Sequence, residues 1–211
     1  MKVMKRALLI VLIVIVAGFY SYGVWPRAIY DSNVGSSSFE VTESLTGEET
    51  FEQKFICGDN GLCGLSIKLS KQENAAVGTY GWTMEEEESG ELIGEGVIDE
   101  SYTETKSFNS SNPQKRGIVK LVFPMQKDSK GRTYVLKLQA QDVPEDEGVM
   151  VYITGKGKTE SNLCVSGEVL VDKSSVIKLQ YQRFNVETFI VFWGIAAYLA
   201  VFLKFMYKLF K

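Results

Sequence analysis

Apolar positions along the 211-residue chain fall into three regimes. Residues 7–25, "ALLIVLIVIVAGFYSYGVW", and residues 189–203, "FIVFWGIAAYLAVFL", contain no charged side chain. Between them, apolar residues recur at every second position or cluster with β-branched and aromatic ones at 39–45, 65–70, 80–87, 118–123, 133–140, 149–154 and 175–182. Successive strand side chains point to opposite faces, so a period of two predicts half-buried strands. The intervening "SGE", "SNP", "DSKGR", "PEDEG" and "GKGK" supply the residues that turns require. Many short strands at near-regular spacing predict an all-β antiparallel sandwich, of the jelly-roll kind, over residues 26–187. A domain of this length can bury its own core. No helix, repeat or low-complexity linker is expected within it.

The flanking runs predict two transmembrane helices, 7–25 and 188–207, with short tips at 1–6 and 208–211. As a helix the first would rise roughly 28 Å at about 1.5 Å per residue, close to one hydrocarbon thickness. The second is extended by Phe205, Met206 and Tyr207, because Lys204 can snorkel. Two alternatives stay open: a cleaved signal peptide behind "MKVMKR", and a C-terminal helix lying on the membrane surface.

Charge sharpens this reading. Residues 27–187 hold 17 Lys and Arg against all 26 Asp and Glu, a net −9, while the six remaining basic residues sit at the two tips without any acid. Basic flanks favour the cytoplasmic side, which predicts a plasma-membrane protein with both termini inside and the sandwich outside. An acidic exterior disfavours nucleic acid as a ligand, since phosphate binding needs a basic patch.

The strand and turn order carries a resemblance. "FEQKFIC" with Gln53 and Phe55, "ELIGEG" at 91–96 and "GRTYVLKL" at 131–138 resemble motifs of the extracytoplasmic jelly-roll modules of bacterial membrane proteins that assemble surface glycans. The resemblance spans about residues 39–182. It implies a carbohydrate-binding-like domain, usually attached to a polytopic glycosyltransferase. This chain has no glycosyltransferase body, so catalysis would belong to a partner, and a membrane glycosyltransferase or flippase is the expected one.

Catalytic signatures are absent from the residues themselves. With no histidine, Ser-His-Asp and Cys-His arrangements are impossible. The glutamates of "MEEEESGE" formally offer paired carboxylates for glycoside hydrolysis, but such a run at a strand end reads as a solvated, mutually repelling edge. "GKGK" at 155–158 lacks P-loop spacing. Residues 141–148, "QDVPEDEG", could hold calcium or form a polar turn, and Asn109 in "NSS" reads as a loop residue. No cofactor or metal is expected. Cys57 and Cys63 bracket a five-residue turn and are disulfide candidates in an oxidising compartment, with Cys164 left over as a buried strand residue.

Two sets of candidate binding residues remain. Tyr80 and Trp82 share one strand face and could form a stacking platform for a sugar; alternatively that face is the inner one and both rings belong to the core. Gly194, Ala197 and Ala200 are small residues suited to close helix packing, against the first helix or against a partner's span. The expected function is a non-enzymatic, membrane-anchored accessory subunit in surface-glycan assembly. The alternative is a scaffolding subunit whose sandwich binds protein.

Overall fold

The computed structural model describes residues 2–47, 49–72, 76–99, 101, 108, 110–112, 115–144 and 147–210, with the backbone alone at 2–9. The chain divides into two units, residues 26–181 and the two termini, 1–25 with 182–211.

The central unit is built from strands whose inward residues alternate, as the period of two requires. Its strands are β2 (Glu40–Val41), β3 (Thr50–Ile56), β4 (Leu62–Lys71), β5 (Thr79–Glu86), β6 (Leu92–Ile98), β7 (Ile118–Gln126), β8 (Thr133–Asp142), β9 (Val149–Gly155), β10 (Ser161–Val165), β11 (Glu168–Leu170) and β12 (Lys173–Ser175). β1 (Tyr22–Ala28) and β13 (Ile177–Phe184) run on into the terminal unit. One sheet has the order β1-β13-β4-β9-β12, with β2 added to β9 and β7 to β4; the other is β11-β10-β3-β8-β5-β6. The pairings of β2 through β13 are antiparallel. Phe51 and Phe55 of β3, Leu136 of β8, Leu65 and Ile67 of β4 and Leu179 of β13 all belong to one buried cluster, so the two sheets share a core. The predicted sandwich is therefore present.

Two features of the strands were hidden in the sequence. "LIGEG", quoted above only as part of a motif, forms β6, and its inner-face glycines leave room for a large neighbour. A Cβ at Gly96 would meet Trp82 Nε1 at 2.6 Å, and one at Gly94 would lie 3.3 Å from Trp82 Cη2. The segment at 39–45 yields only the two-residue β2 and a bridge at Leu45. Gly117, which precedes β7, has φ +73°, and a Cβ there would fall 2.0 Å from Leu69 O, so no other residue fits without moving β4.

In the terminal unit, one helix covers Lys2–Ser21 and the other Val186–Leu209. The first ends four residues short of its expected limit. Ser21 Oγ donates to Ala17 O at 2.7 Å, and Trp25 precedes Pro26, which drives the chain into extended backbone. Tyr22–Ala28 pairs with β13 instead, so Tyr22 and Trp25 are strand residues and not helical ones. The uncharged helical part, residues 7–21, would rise only about 22 Å. Among the described residues, Val186–Leu209 alone is long and apolar enough to cross a membrane, with a mean hydropathy of 2.1 over its most apolar 18 residues. Of the two expected flanking spans, the C-terminal one is therefore found among the described residues.

That helix starts where its sequence directs. Asn185 Oδ1 accepts from Thr188 N at 3.0 Å as the N-cap, and Asn185 N donates to Ser21 O at 2.8 Å. Glu187 in the first turn and Lys208 in the last complement the helix dipole. Thr188, Phe192, Ile195 and Leu199 form a stripe facing Tyr20 of the first helix, whose ring lies 6.1 Å from that of Phe192. Gly194, Ala197 and Ala200 fall outside this stripe because of the 3.6-residue turn, and all three are exposed. They do not pack the chain's own two helices together.

Candidate ligand-binding site

The predicted aromatic platform is part of the core. Tyr80 is buried, and its hydroxyl donates to Leu45 O at 2.7 Å while accepting from Val149 N at 2.9 Å. It closes the gap where β2 gives way to the Leu45 bridge. Trp82 is 7% exposed and lies over Gly94 and Gly96. Neither ring face is open to stack on a sugar.

Gln53, quoted above only as part of a motif, ties the two sheets together. Its Oε1 accepts from Ser175 N at 2.9 Å and Ser175 Oγ at 2.8 Å, while Nε2 donates to Lys54 O at 3.0 Å and Asn162 O at 2.9 Å. A fully buried amide is tolerable here because four hydrogen bonds satisfy it.

Three of the four glutamates in the run, 85 to 87, are ion-paired. β5 lies between β8 and β6, and each acid on it meets a cation. Glu85 pairs with Lys137 at 3.0 Å, Glu86 with Arg132 at 3.0 Å, and Glu87 with Lys54. Glu86 is nearly buried and also accepts from Ser89 Oγ at 3.1 Å. These glutamates are held as ion-pair partners across three strands.

The cysteines are all free thiols. Cys57 joins the core cluster, whereas Cys63 alternates out of it beside buried Leu62 and lies 3.4 Å from Gln180 O. The expected bridge between them is not formed, because Cys57 points into the core whereas Cys63 points to the outer face of the seven-stranded sheet. Cys164 is half-buried, opposite Glu52 and Val169, instead of in the core. Burial pushes the Cys57 thiol up to about 12, beside the Tyr181 hydroxyl, and Tyr134 is likewise raised to about 12 by burial. Such a thiol is no nucleophile at neutral pH. Part of the 141–148 loop and Asn109 lie outside the described residues; among the described residues no His, Cys, Asp and Glu group could hold a metal ion.

What remains open to a ligand is the outer surface of the sandwich, which carries grooves on both sheets. On the six-stranded sheet the groove has a volume of about 470 Å³. Its floor is Gly81, whose missing side chain leaves space over which Gln141 reaches; a Cβ there would lie 2.6 Å from Gln141 Nε2. Glu52 of β3, Lys137 and Gln139 of β8, Thr83 of β5 and Glu95 of β6 surround it. Four adjacent strands thus present carboxylates, amides, a hydroxyl and an ammonium within one depression. Register explains the convergence, since Gly81 pairs with Gln139 on one side and Val97 on the other, and Thr83 with Lys137 and Glu95. Glu85 beside Lys137 holds that ammonium above its usual value, so it stays charged.

On the seven-stranded sheet the groove holds about 340 Å³ and has a different character. It is lined by Lys68, Lys178, Tyr30, Phe39 and serines 32, 36 and 66. Neither groove was foreseen in the sequence. The outward polar positions of "LSIKLS" and "YVLKLQAQ" were its only trace, and they read as ordinary solvated strand residues.

No protein-family model matches the chain, and no curated protein is significantly similar to it.

Proposed function

We propose that the chain is a non-enzymatic, membrane-anchored accessory subunit of surface-glycan assembly, presenting its sandwich as a jelly-roll, carbohydrate-binding-like module. The observation that carries this reading is the groove over Gly81, where side chains of four strands converge. Sugar hydroxyls are both donors and acceptors, and a depression offering Glu52, Glu95, Thr83, Gln139 and Gln141 together suits them. The Val186–Leu209 helix would supply the anchor, and the basic Lys204, Lys208 and Lys211 favour a cytoplasmic C-terminal end with the sandwich outside. A polytopic glycosyltransferase or flippase is the partner that would perform the chemistry, docking on the exposed helix side that carries Gly194, Ala197 and Ala200.

Full-length protein in mild detergent is tested against immobilised neutral oligosaccharides, with Gly81→Leu as the groove-filling variant. The wild type is expected to bind at least one of them, and Gly81→Leu to lose at least about tenfold, roughly 1.4 kcal/mol. Gly81 faces outward and has no positive φ, so the variant keeps the core intact. If no oligosaccharide binds, while a version lacking residues 184–211 loses a membrane partner that the full chain recovers, the scaffolding alternative replaces the glycan reading.

A further inference from the structure

The groove over Gly81 carries an imbalance of charge. Strand register lines up Glu52 of β3, Lys137 of β8, Thr83 of β5 and Glu95 of β6 as one row, each opposite the next. Their chain neighbours Gln53, Leu136 and Trp82 are buried, and Gly96 lies against Trp82, so alternation turns the whole row outward. Both ends of the row are acidic. The ammonium within it is already engaged: Lys137 Nζ lies 3.0 Å from Glu85 Oε2, and that bond, with Glu52 adding to the field, holds it above its usual value. Lys54, two residues along β3 from Glu52, pairs with Glu87. Glu52, Glu85 and Glu95 thus share a single ammonium, and among the described residues no other lysine or arginine lines the groove.

Hydrogen-bonding groups stand in the next row. Gln139 lies opposite Thr50 on one side and Gly81 on the other, and Gln141 reaches over Gly81. Val97, opposite Gly81 on β6, is exposed and adds an apolar patch. The side chains of Glu95, Gln139 and Gln141 are exposed too, and they make no hydrogen bond or ion pair with the described residues. Glu52 and Glu95 are three strand intervals apart, roughly 14 Å at about 4.8 Å each. A ligand that extends along the row and carries a cation on successive units meets both. Among the described residues neither glutamate belongs to a group that could hold a metal ion, so the cation that suits them is organic.

We infer that the Gly81 groove selects, among saccharides, an oligomer of amino sugars whose amines are free and protonated, with Glu52 and Glu95 as the residues that set this preference. The inference rests on the glycan reading of the groove and adds the charge of the ligand to it. An ammonium carries three donors and no acceptor, and a carboxylate only accepts, so the two are matched and their hydrogen bonds are charge-assisted. Acetylation of the amine removes that charge, and a uronate adds a negative one that Glu52 and Glu95 repel. The hydroxyls of the same sugar both donate and accept, as Thr83, Gln139 and Gln141 do. A basic peptide offers the charge without the hydroxyls, and is the poorer match.

The test measures binding to the full-length protein in mild detergent by titration calorimetry, with four probes: a glucosamine trisaccharide, its N-acetylated counterpart, a galacturonate trisaccharide and trilysine. The variants are Glu52→Gln combined with Glu95→Gln, and Glu95→Gln alone, an exposed position on an edge strand that keeps the test usable should the double variant not fold. The glucosamine trisaccharide is expected to bind the wild type at least about fivefold more tightly than the N-acetylated form, with the galacturonate weakest. That advantage is expected to shrink with added salt and to vanish once the probe's amine is titrated to its neutral form. Glu95→Gln is expected to lose part of it and the double variant all of it, while the N-acetylated form binds each variant as it binds the wild type. If the N-acetylated form binds and is weakened by Gly81→Leu, but the free amine is no better or the glutamate variants keep the preference, the inference is overturned and the glycan reading stands. If no trisaccharide binds, both fall. Trilysine binding as tightly as the glucosamine trisaccharide overturns the assignment to sugar and favours the alternative in which the sandwich binds protein.

Discussion

At the scale of single residues, the interior is governed by hydrogen-bond satisfaction. Gln53 occupies a position that the alternation of β3 assigns to the core, between Phe51 and Phe55. Its amide is buried, so each of its partners depends on it: the Ser175 N–H and hydroxyl, and the carbonyls of Lys54 and Asn162. Gln53→Ala leaves those groups without partners and opens a void, and is expected to lower the unfolding free energy by about 2 to 4 kcal/mol in urea denaturation. Gln53→Glu is expected to cost more, since Oε2 would face two carbonyls with a buried charge. The same logic explains why, of the two readings of Tyr80, the core one holds. Its hydroxyl finds both partners inside the fold, at Leu45 and Val149, and these lie 35 and 69 residues away in sequence.

At the scale of elements, β5 and β6 are matched by a size rule. Trp82 is large and faces the positions of Gly94 and Gly96 on the neighbouring strand, and the indole fills the space that their absent side chains leave. Gly96→Ala would place a methyl group 2.6 Å from Trp82 Nε1 and 2.9 Å from Cε2, so the ring must shift. The expected loss is about 1 to 3 kcal/mol, read as a lower melting temperature, and pairing it with Trp82→Phe is expected to return part of it. A turn reading of "LIGEG" follows naturally from its glycines, because glycine marks turns more often than strands. Here the glycines serve packing, and that is visible only once the tryptophan is placed against them.

For the whole molecule, the core carries weak acids that must stay neutral. Cys57 is raised from 9.0 to about 12 and Tyr134 from 10.0 to about 12, and Tyr181 is raised as well, all chiefly by burial. An acid whose pKa is higher folded than unfolded binds its proton more tightly in the folded state. Its contribution to stability is complete below the unfolded value and is lost as pH climbs from there to the folded one. The domain is therefore expected to lose stability from about pH 9 upward, with the steepest fall between about pH 10 and 12, as seen by denaturation at fixed urea across that range. Cys57→Ala is expected to move the onset to about pH 10, since only the tyrosines then titrate. No fall in stability over this interval would mean that the three groups are solvated.

The amino-acid order by itself determined the local rules. Period-two alternation placed six of seven strands close to where they lie, and the acid-free, basic tail behind residues 189–203 marked the helix that is apolar enough to span a membrane. These are properties of neighbouring residues, set by strand and helix geometry, and they need no knowledge of distant partners. Tertiary structure alone decided the rest. It ended the first helix at Ser21 by pairing Tyr22–Ala28 with β13, turned Tyr80 and Trp82 inward, separated Cys57 from Cys63 and gave each glutamate of β5 a cation from a strand far away in sequence. It also created both grooves, since each takes side chains from strands that only sheet register makes neighbours. Which face of a strand becomes core, and which polar residues converge outside it, depends on the partner that each strand meets, and that choice is made by the fold as a whole.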